Sequence, residues 1–222
     1  MVTPFLESQD SIRSDFNRKL RRIQRDVLRM GALVEQSCRL ASLALIERDL
    51  EAARQIPPQD KQIDQLYRQI EVDCISAMAM QTPDTQEIRL LSAMMQLVRD
   101  LERIGDYAED LAEIAVILFP YPTHGCIDRV QLMLNRCQAM LAMSLQALSD
   151  LDAKSGLEVR DRDDAVDSDY EALYNWLVHH TDIQGSVEPI VLLVLVIRYL
   201  ERMADHATNI GKRVAFIVTG QR

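Results

Sequence analysis

The sequence predicts an all-α protein made of two tandem three-helix bundles, the second half repeating the plan of the first. Three observations carry this expectation. Only seven glycines and seven prolines occur in 222 residues, while Leu, Ala, Arg, Gln, Glu and Met, all good helix formers, are abundant. Apolar residues recur at three- and four-residue steps over long stretches, the mark of amphipathic helices. The segment from Arg99 to Asp110 also returns, altered, from Arg198 to Asn209, 99 residues later. Both copies carry Arg-x-x-Glu-Arg-x-x-x-x-Ala around Glu-x-x-x-Asp.

In chain order, residues 1–12 read as a loose polar lead-in. A long helix follows from about 12 to 47, with Leu20, Ile23, Val27, Met30, Val34, Cys38, Ala41 and Leu45 inward. Its first half shows Arg18, Arg22, Arg25 and Arg29 on another face, read either as a solvated basic face or as a contact for an acidic partner or lipid head groups. Asp49 caps a short turn, and Pro57-Pro58 should break or kink the chain before a second helix from about 59 to 80. Residues 81–84 form a turn. A third helix spans about 85–118 with Leu91, Met94, Val98, Leu101, Gly105, Ala108 and Ala112 on its buried stripe. The Pro- and Gly-containing run 119–125 is the one strong boundary, giving units at 13–120 and 121–222. The second half offers helices at about 127–150 (Leu134, Cys137, Leu141, Leu145 and Leu148 inward), at a position ending near 179 after a polar stretch 152–161, and at about 187–218, with a turn at 180–185.

The formal charge of −9 argues against a general nucleic-acid binder. The charge is uneven: residues 1–29 hold seven Arg or Lys against four Asp or Glu, a local +3 that leaves −12 for the rest. Cys38, Cys74, Cys126 and Cys137 show neither a Cys-x-x-Cys pair nor zinc-like spacing and read as small buried thiols. The first residues lack a signal-peptide pattern, and the longest apolar run, 190–197, is far short of the ~20 residues that span a bilayer. A cytoplasmic location is expected.

The acidic residues carry the site. Asp60 and Asp64 in the second helix align with Asp163 and Asp167 at an offset of 103. A first hairpin centred on Pro83 places Asp64 level with Glu102 and Asp60 level with Asp106. A second, centred on Gln184, does the same for Asp167 with Glu201 and Asp163 with Asp205. Both centres fall in turns assigned independently. Spacing of four puts each pair on one stripe, so each half should face four carboxylates across adjacent helices, with Asp110 and Asn209 extending the stripes by a turn. Like charges so arranged repel, and either arginines or a metal must offset them. Arg99 and Arg103 can serve the first set, Arg198 and Arg202 the second. Arg68 can reach Asp64, whereas Glu171 stands at the aligned position, so the second set is expected to be the less compensated. All-oxygen ligation favours Mg, Mn, Fe or Ca over a soft-metal site. His206, about 100° around the helix from Asp205, reads as a surface or supporting residue rather than a ligand.

At these residues the chain resembles the PhoU family of phosphate-signalling regulators. The segments Leu101-Glu102-Arg103-Ile104-Gly105-Asp106-Tyr107-Ala108 and Leu200-Glu201-Arg202-Met203-Ala204-Asp205-His206-Ala207-Thr208-Asn209-Ile210 are similar to that family's repeated motif, and the preceding Asp-x-x-x-Asp segments fit it. Asp110 stands where Asn is common, residues 85–89 replace a usual Asp-Leu-Arg, and Pro57-Pro58 interrupts a smoother helix. The resemblance implies a cytoplasmic protein beside a phosphate ABC transporter, contacting its ATPase subunit and a sensor histidine kinase, and restraining phosphate import and the starvation response. It reaches the membrane only through those partners, and a homo-oligomer is left open. It also implies metal clusters on the acidic motifs, here Asp60, Asp64, Glu102 and Asp106, and Asp163, Asp167, Glu201 and Asp205. Divalent or trivalent ions (Fe, Mn, Mg or Zn) are expected there.

Two other readings remain. All-helical Mg-dependent nucleotide pyrophosphohydrolases also cluster carboxylates, but through Glu-x-x-Glu and Glu-x-x-Asp pairs. A di-iron bundle needs Glu-x-x-His, which this chain lacks. With no nucleophile beside a base and no Gly-rich phosphate loop, catalytic residues are not expected. A metal-free helical adaptor is the other alternative.

Overall fold

Arg48 (φ 59°) and Leu151 (φ 50°) are the non-glycine residues with positive φ among the described residues, and they lie at the same 103-residue offset. Each precedes an aspartate that starts the next helix. Asp49 accepts hydrogen bonds from the Glu51 and Ala52 N–H groups, and Asp152 accepts from those of Lys154 and Ser155, satisfying donors that a helix start leaves free. The two halves therefore turn the same corner by the same chemistry.

The structure, a computed structural model, describes residues 4–80, 83–179 and 185–221. Seven helices and no strand occur among them: α1 (Pro4–Ile46), α2 (Leu50–Met78), α3 (Thr85–Leu118), α4 (Ile127–Asp150), α5 (Ala153–Glu158), α6 (Arg160–Val178) and α7 (Glu188–Thr219). Residues 81–82 and 180–184, in the two expected hairpin turns, and residues 1–3 of the expected lead-in lie outside the described residues. No helix is long and apolar enough to cross a membrane among the described residues.

The all-α class holds, and so does most of the helix reading, with three differences. The lead-in is helical from Pro4, since proline at a first helical position gives up an N–H that has no partner there anyway. Pro57 and Pro58 lie inside a continuous α2. Both are exposed, as is Arg54, so water can serve the Arg54 carbonyl, one of the two whose helical donors the prolines remove. The polar stretch after Leu151 contains α5, joined to α6 through Val159, which keeps helical dihedrals (φ −58°, ψ −39°). There the Arg162 N–H reaches back only three residues, to the Val159 carbonyl, at 3.1 Å.

Four helices form the inner layer. α3 and α7 run antiparallel through the centre. Tyr107 stacks on Tyr199 with ring centroids 5.5 Å apart, and the His206 Nδ1 lies 2.9 Å from an Asp100 oxygen. Under the 99-residue offset Tyr107 aligns with His206 and Tyr199 with Asp100, so one end of this seam is aromatic where its symmetry mate is polar. Arg213 donates from Nε to Asp100 (2.7 Å) and from an Nη to Gln96 (2.5 Å), satisfying a carboxylate buried at 5% exposure. α1 and α4 also run antiparallel: Gly31 sits under Leu145, and the Gln138 amide donates to the Cys38 carbonyl at 3.0 Å. The outer helices flank this layer, α2 on α1 and α3, and α6 on α4 and α7. Arg48 ties the crossing between halves, donating to the carbonyls of Tyr121 and Phe119 and to the Thr123 hydroxyl.

The core contains the expected stripes, with Val27, Met30, Val34, Ile63, Ile70, Leu91, Val98, Leu101 and Ala108 at 1% exposure or less. The four cysteines are buried free thiols, and burial raises the thiols of Cys38 and Cys74 to about 12.

Two candidate metal faces

The first acidic face lies between α2 and α3. The two helices approach closely because Gly105 presents no side chain: a Cβ there would lie 3.3 Å from Ile63 Cδ1 and 3.6 Å from Asp60 Oδ1. Asp60 thus rests against the α3 backbone, and its Oδ1 is shielded from solvent with no hydrogen-bond partner. Burial, then the charges of Asp106 and Asp64, raise its pKa. Glu102 is raised by burial and by Asp106, with Arg103 opposing and Asp64 and Asp60 adding. Asp106 is raised by burial, against Arg103, with Asp64 adding. Asp60, Glu102 and Asp106 therefore each feel carboxylate charge from the facing helix.

The face also extends further than the motif suggests. Glu109 is raised by burial, Asp60 and Glu113, and Asp110 by burial, Glu113 and Asp106. Glu109 and Glu113 escaped the sequence reading because Glu109 aligns with Thr208 and so does not recur as an acid, and Glu113 lies beyond the repeated segment, although Glu109 is three residues beyond Asp106 and Glu113 three beyond Asp110, spacings that share a helix face. Asp110 and Glu113 in turn raise Tyr199 of α7, after burial, so the face reaches the seam between halves.

The second face lies between α6 and α7. Asp163 is raised by burial, Asp167 and Asp205, with Lys212 among the groups opposing. Asp167 is raised by burial, Asp205, Asp164 and Glu171. Glu201 is raised by burial against Arg198, with Asp205 adding, and its Oε2 is shielded without a hydrogen bond. Asn209 lies one turn beyond Asp205 and borders a groove with Lys212 and Arg213.

Compensation follows the expected order: among the described residues Asp60 alone of the first four carboxylates lacks an ion pair, whereas Asp163 and Asp167 both lack one on the second face, where Glu171 adds to the charge on Asp167. Arg68 pairs with Asp64 at 2.5 Å, and Arg103 with Asp106 at 3.0 Å and Glu102 at 3.6 Å. Arg99 forms no ion pair among the described residues and lies beside Tyr67 instead. On the second face Arg198 pairs with Glu201 at 2.8 Å, and Arg202 with Asp205 at 3.1 Å and Glu201 at 3.7 Å, with Lys212 further along. Each face thus sets two paired arginines against its carboxylates, seven on the first and, with Asp164 and Glu171, six on the second, and Asp60 has no cation beside it. His206 is not part of either face; it bridges to Asp100 across the seam. As the side chains stand, no group of three His, Cys, Asp or Glu among the described residues is placed to hold a metal ion.

Comparison with known proteins gives a consistent picture. A family model described as the PhoU domain matches residues 27–115 and again residues 130–214. The phosphate-specific transport system accessory protein PhoU homolog of Synechocystis is 55% identical over 210 residues, covering 95% of this chain and 94% of that one. The crystal structure of PhoU from Pseudomonas aeruginosa matches with a TM-score of 0.87 at 31% identity, over 93% of this chain and 100% of that chain. That of the phosphate transport system regulatory protein PhoU from Streptococcus pneumoniae gives 0.85 at 28% identity, over 93% and 98%. With the domain matched in both halves and a relative this similar along nearly its whole length, the chain belongs to the PhoU family.

Proposed function

We propose that this protein is a non-enzymatic, cytoplasmic regulator of phosphate uptake and of the phosphate-starvation response. It acts by binding the ATPase subunit of a phosphate ABC transporter and a sensor histidine kinase, and units at 13–120 and 121–222 each contribute one metal-assisted face. The regulatory role rests on the relatives, which carry the names of phosphate transport accessory proteins. The observation that carries the metal reading is the pair of carboxylate faces, each with a shielded acceptor oxygen that receives no hydrogen bond, Asp60 Oδ1 and Glu201 Oε2, the latter with only the Arg202 Nε at 3.7 Å near it. Such atoms cost stability unless something positive meets them. The donor set is all oxygen, which suits a hard divalent or trivalent ion such as Mg, Mn or Fe. Asp60, Asp64, Glu102, Asp106 and Asp110 would hold it on the first face, and Asp163, Asp167, Glu201, Asp205 and Asn209 on the second. The ion would supply positive charge where the arginines leave it short. Because the side chains converge on no ion as they stand, Arg103 and Arg202 must swing away from Asp106 and Asp205 when one binds.

In cells grown with ample phosphate, replacing the gene by one encoding both Asp60→Asn with Asp106→Asn and Asp163→Asn with Asp205→Asn should raise phosphate import and switch on a starvation reporter. Unchanged repression by that variant would remove the metal from the function. Incubation with Mg and nucleoside triphosphates should give turnover below ~0.1 s⁻¹, and a faster rate, within the ordinary enzyme range, would favour the pyrophosphohydrolase reading instead.

A further inference from the structure

The first half of α1 carries a basic ridge with no counterpart in the second half. Arg18, Arg22, Arg25 and Arg29 follow one another at steps of four, three and four residues, a single stripe about 16 Å long, flanked by Lys19 and Arg21. At the 103-residue offset between halves, α4 begins opposite residue 24, so α1 up to residue 23 projects beyond anything in the second half. This extension is anchored. Phe16 is fully buried, Arg13 pairs with Glu87 at the start of α3 at 2.6 Å, and the Lys19 ammonium donates to the Ser76 hydroxyl at 2.6 Å.

The ridge carries more cation than its own neighbours neutralise. Arg18 pairs with Asp15, while Arg22 and Arg25 share Asp26 at 3.6 and 3.8 Å. Arg21 and Arg29 form no ion pair among the described residues. The Arg18 and Arg25 side chains are 77% and 75% exposed. Arg22, Arg25 and Arg29, with Asp26 between them, also border an open groove of about 630 Å³ whose other wall is Gln62, Gln65, Leu66 and Gln69 of α2.

We propose that this α1–α2 surface docks an acidic helical segment of a partner protein. Carboxylates at three- and four-residue spacing meet the guanidinium ridge, whose forks suit bidentate pairing, and the segment lies along the amide-lined groove in the helix-in-groove manner. A lipid surface fits less well, because Leu28 is the one exposed large apolar side chain among residues 12–30 and no aromatic is there to enter the acyl boundary. Nucleic acid fits less well, since the chain carries −9 overall and the ridge has no exposed aromatic on which bases could stack. No residue of the ridge belongs to either acidic face, so the metal reading and this one fail separately.

The test uses the full chain and a labelled alanine-based helical peptide of about 20 residues, with glutamates at i, i+4, i+7 and i+11, read by fluorescence anisotropy. An isomer with four adjacent glutamates has the same charge without the register. The matched peptide should bind about fivefold tighter than the isomer and weaken as salt rises from about 50 to about 300 mM. Arg22→Gln with Arg25→Gln should weaken it about tenfold, whereas Lys212→Gln, far from the ridge, should not. Arg22→Glu with Arg25→Glu should switch preference to the matched lysine peptide. Should either pair disturb the circular dichroism spectrum, Arg18→Gln with Arg29→Gln gives the same reading. Equal binding of both isomers, no loss in the arginine variants, or binding to vesicles of about 30% phosphatidylserine without binding of the peptide would overturn the proposal.

Discussion

Pro57 and Pro58 lie within a continuous helix in the first half, whereas the second half has Arg160 and Asp161 at the aligned positions and is interrupted one residue earlier, at Val159. The difference follows from what passes over each helix. In the second half Gly156 and Gly211 bring two backbones together: a Cβ on Gly211 would lie 2.2 Å from the Gly156 carbonyl oxygen. The aligned residues of the first half are Ala53 and Ala112, both buried, whose methyls leave no room for so close an approach. Close crossing coincides with the interruption, while two prolines facing water leave their helix continuous. Tertiary approach overrides local propensity at this point.

The largest expected effect breaks this comparison directly. Gly211→Ala should lower stability by about 3 kcal/mol, because backbone rather than a flexible side chain must move, while the reciprocal Ala112→Gly should cost about 1 kcal/mol. Urea unfolding of both variants decides it, and a cost below about 1 kcal/mol for Gly211→Ala would show that the crossing is loose.

The seam between halves comes next. Asp100→Ala strands the Arg213 guanidinium and His206 and should cost about 2 kcal/mol. Tyr199→Phe, at the aligned position, keeps the ring and should cost under about 0.5 kcal/mol in the same assay. Equal costs would mean that the polar end of the seam is no more constrained than the aromatic end.

The pH dependence compares the faces with and without a cation. On both faces carboxylates are raised above their unfolded values by burial and like charge. Metal-free protein therefore binds more protons folded than unfolded, so the stability these groups provide is present at low pH and lost as pH rises through the raised values. The melting temperature of metal-free protein should climb as pH falls from 7 toward about 5, the window just above the ordinary carboxylate range. With Mn present the slope should reverse, since protonation competes with the ion. The smallest effect is Asp60→Asn, which should stabilise the metal-free protein by a few tenths of a kcal/mol, roughly within the scatter of surface substitutions.

Much of this was legible in the sequence. The helices at 85–118 and 127–150 follow from periodicity and end at Leu118 and Asp150 as expected, because Pro and Gly beyond Leu118 and a capping Asp beyond Leu151 are unambiguous punctuation. That Asp106 acts on Asp60, Asp205 on Asp167 and Asp167 on Glu201 is the arrangement hairpin geometry leads one to expect. The second buried stripe of α3, with Leu97, Asp100, Ile104 and Leu111, was missed because a single apolar face satisfies a periodicity search, and a charged residue in that stripe reads as solvent-facing. Its partners Arg213 and His206 lie over a hundred positions away, so no local pattern announces them.

The two acidic faces are the centre of this account, and metal retention tests them most directly. The full chain, loaded with Mn and dialysed, should retain the ion. Asp60→Asn with Asp106→Asn and Asp163→Asn with Asp205→Asn should each remove about half of it, as loss of ligating carboxylates from one face requires. A wild-type protein that emerges without Mn above background, or that keeps its full load in both variants, would contradict the account.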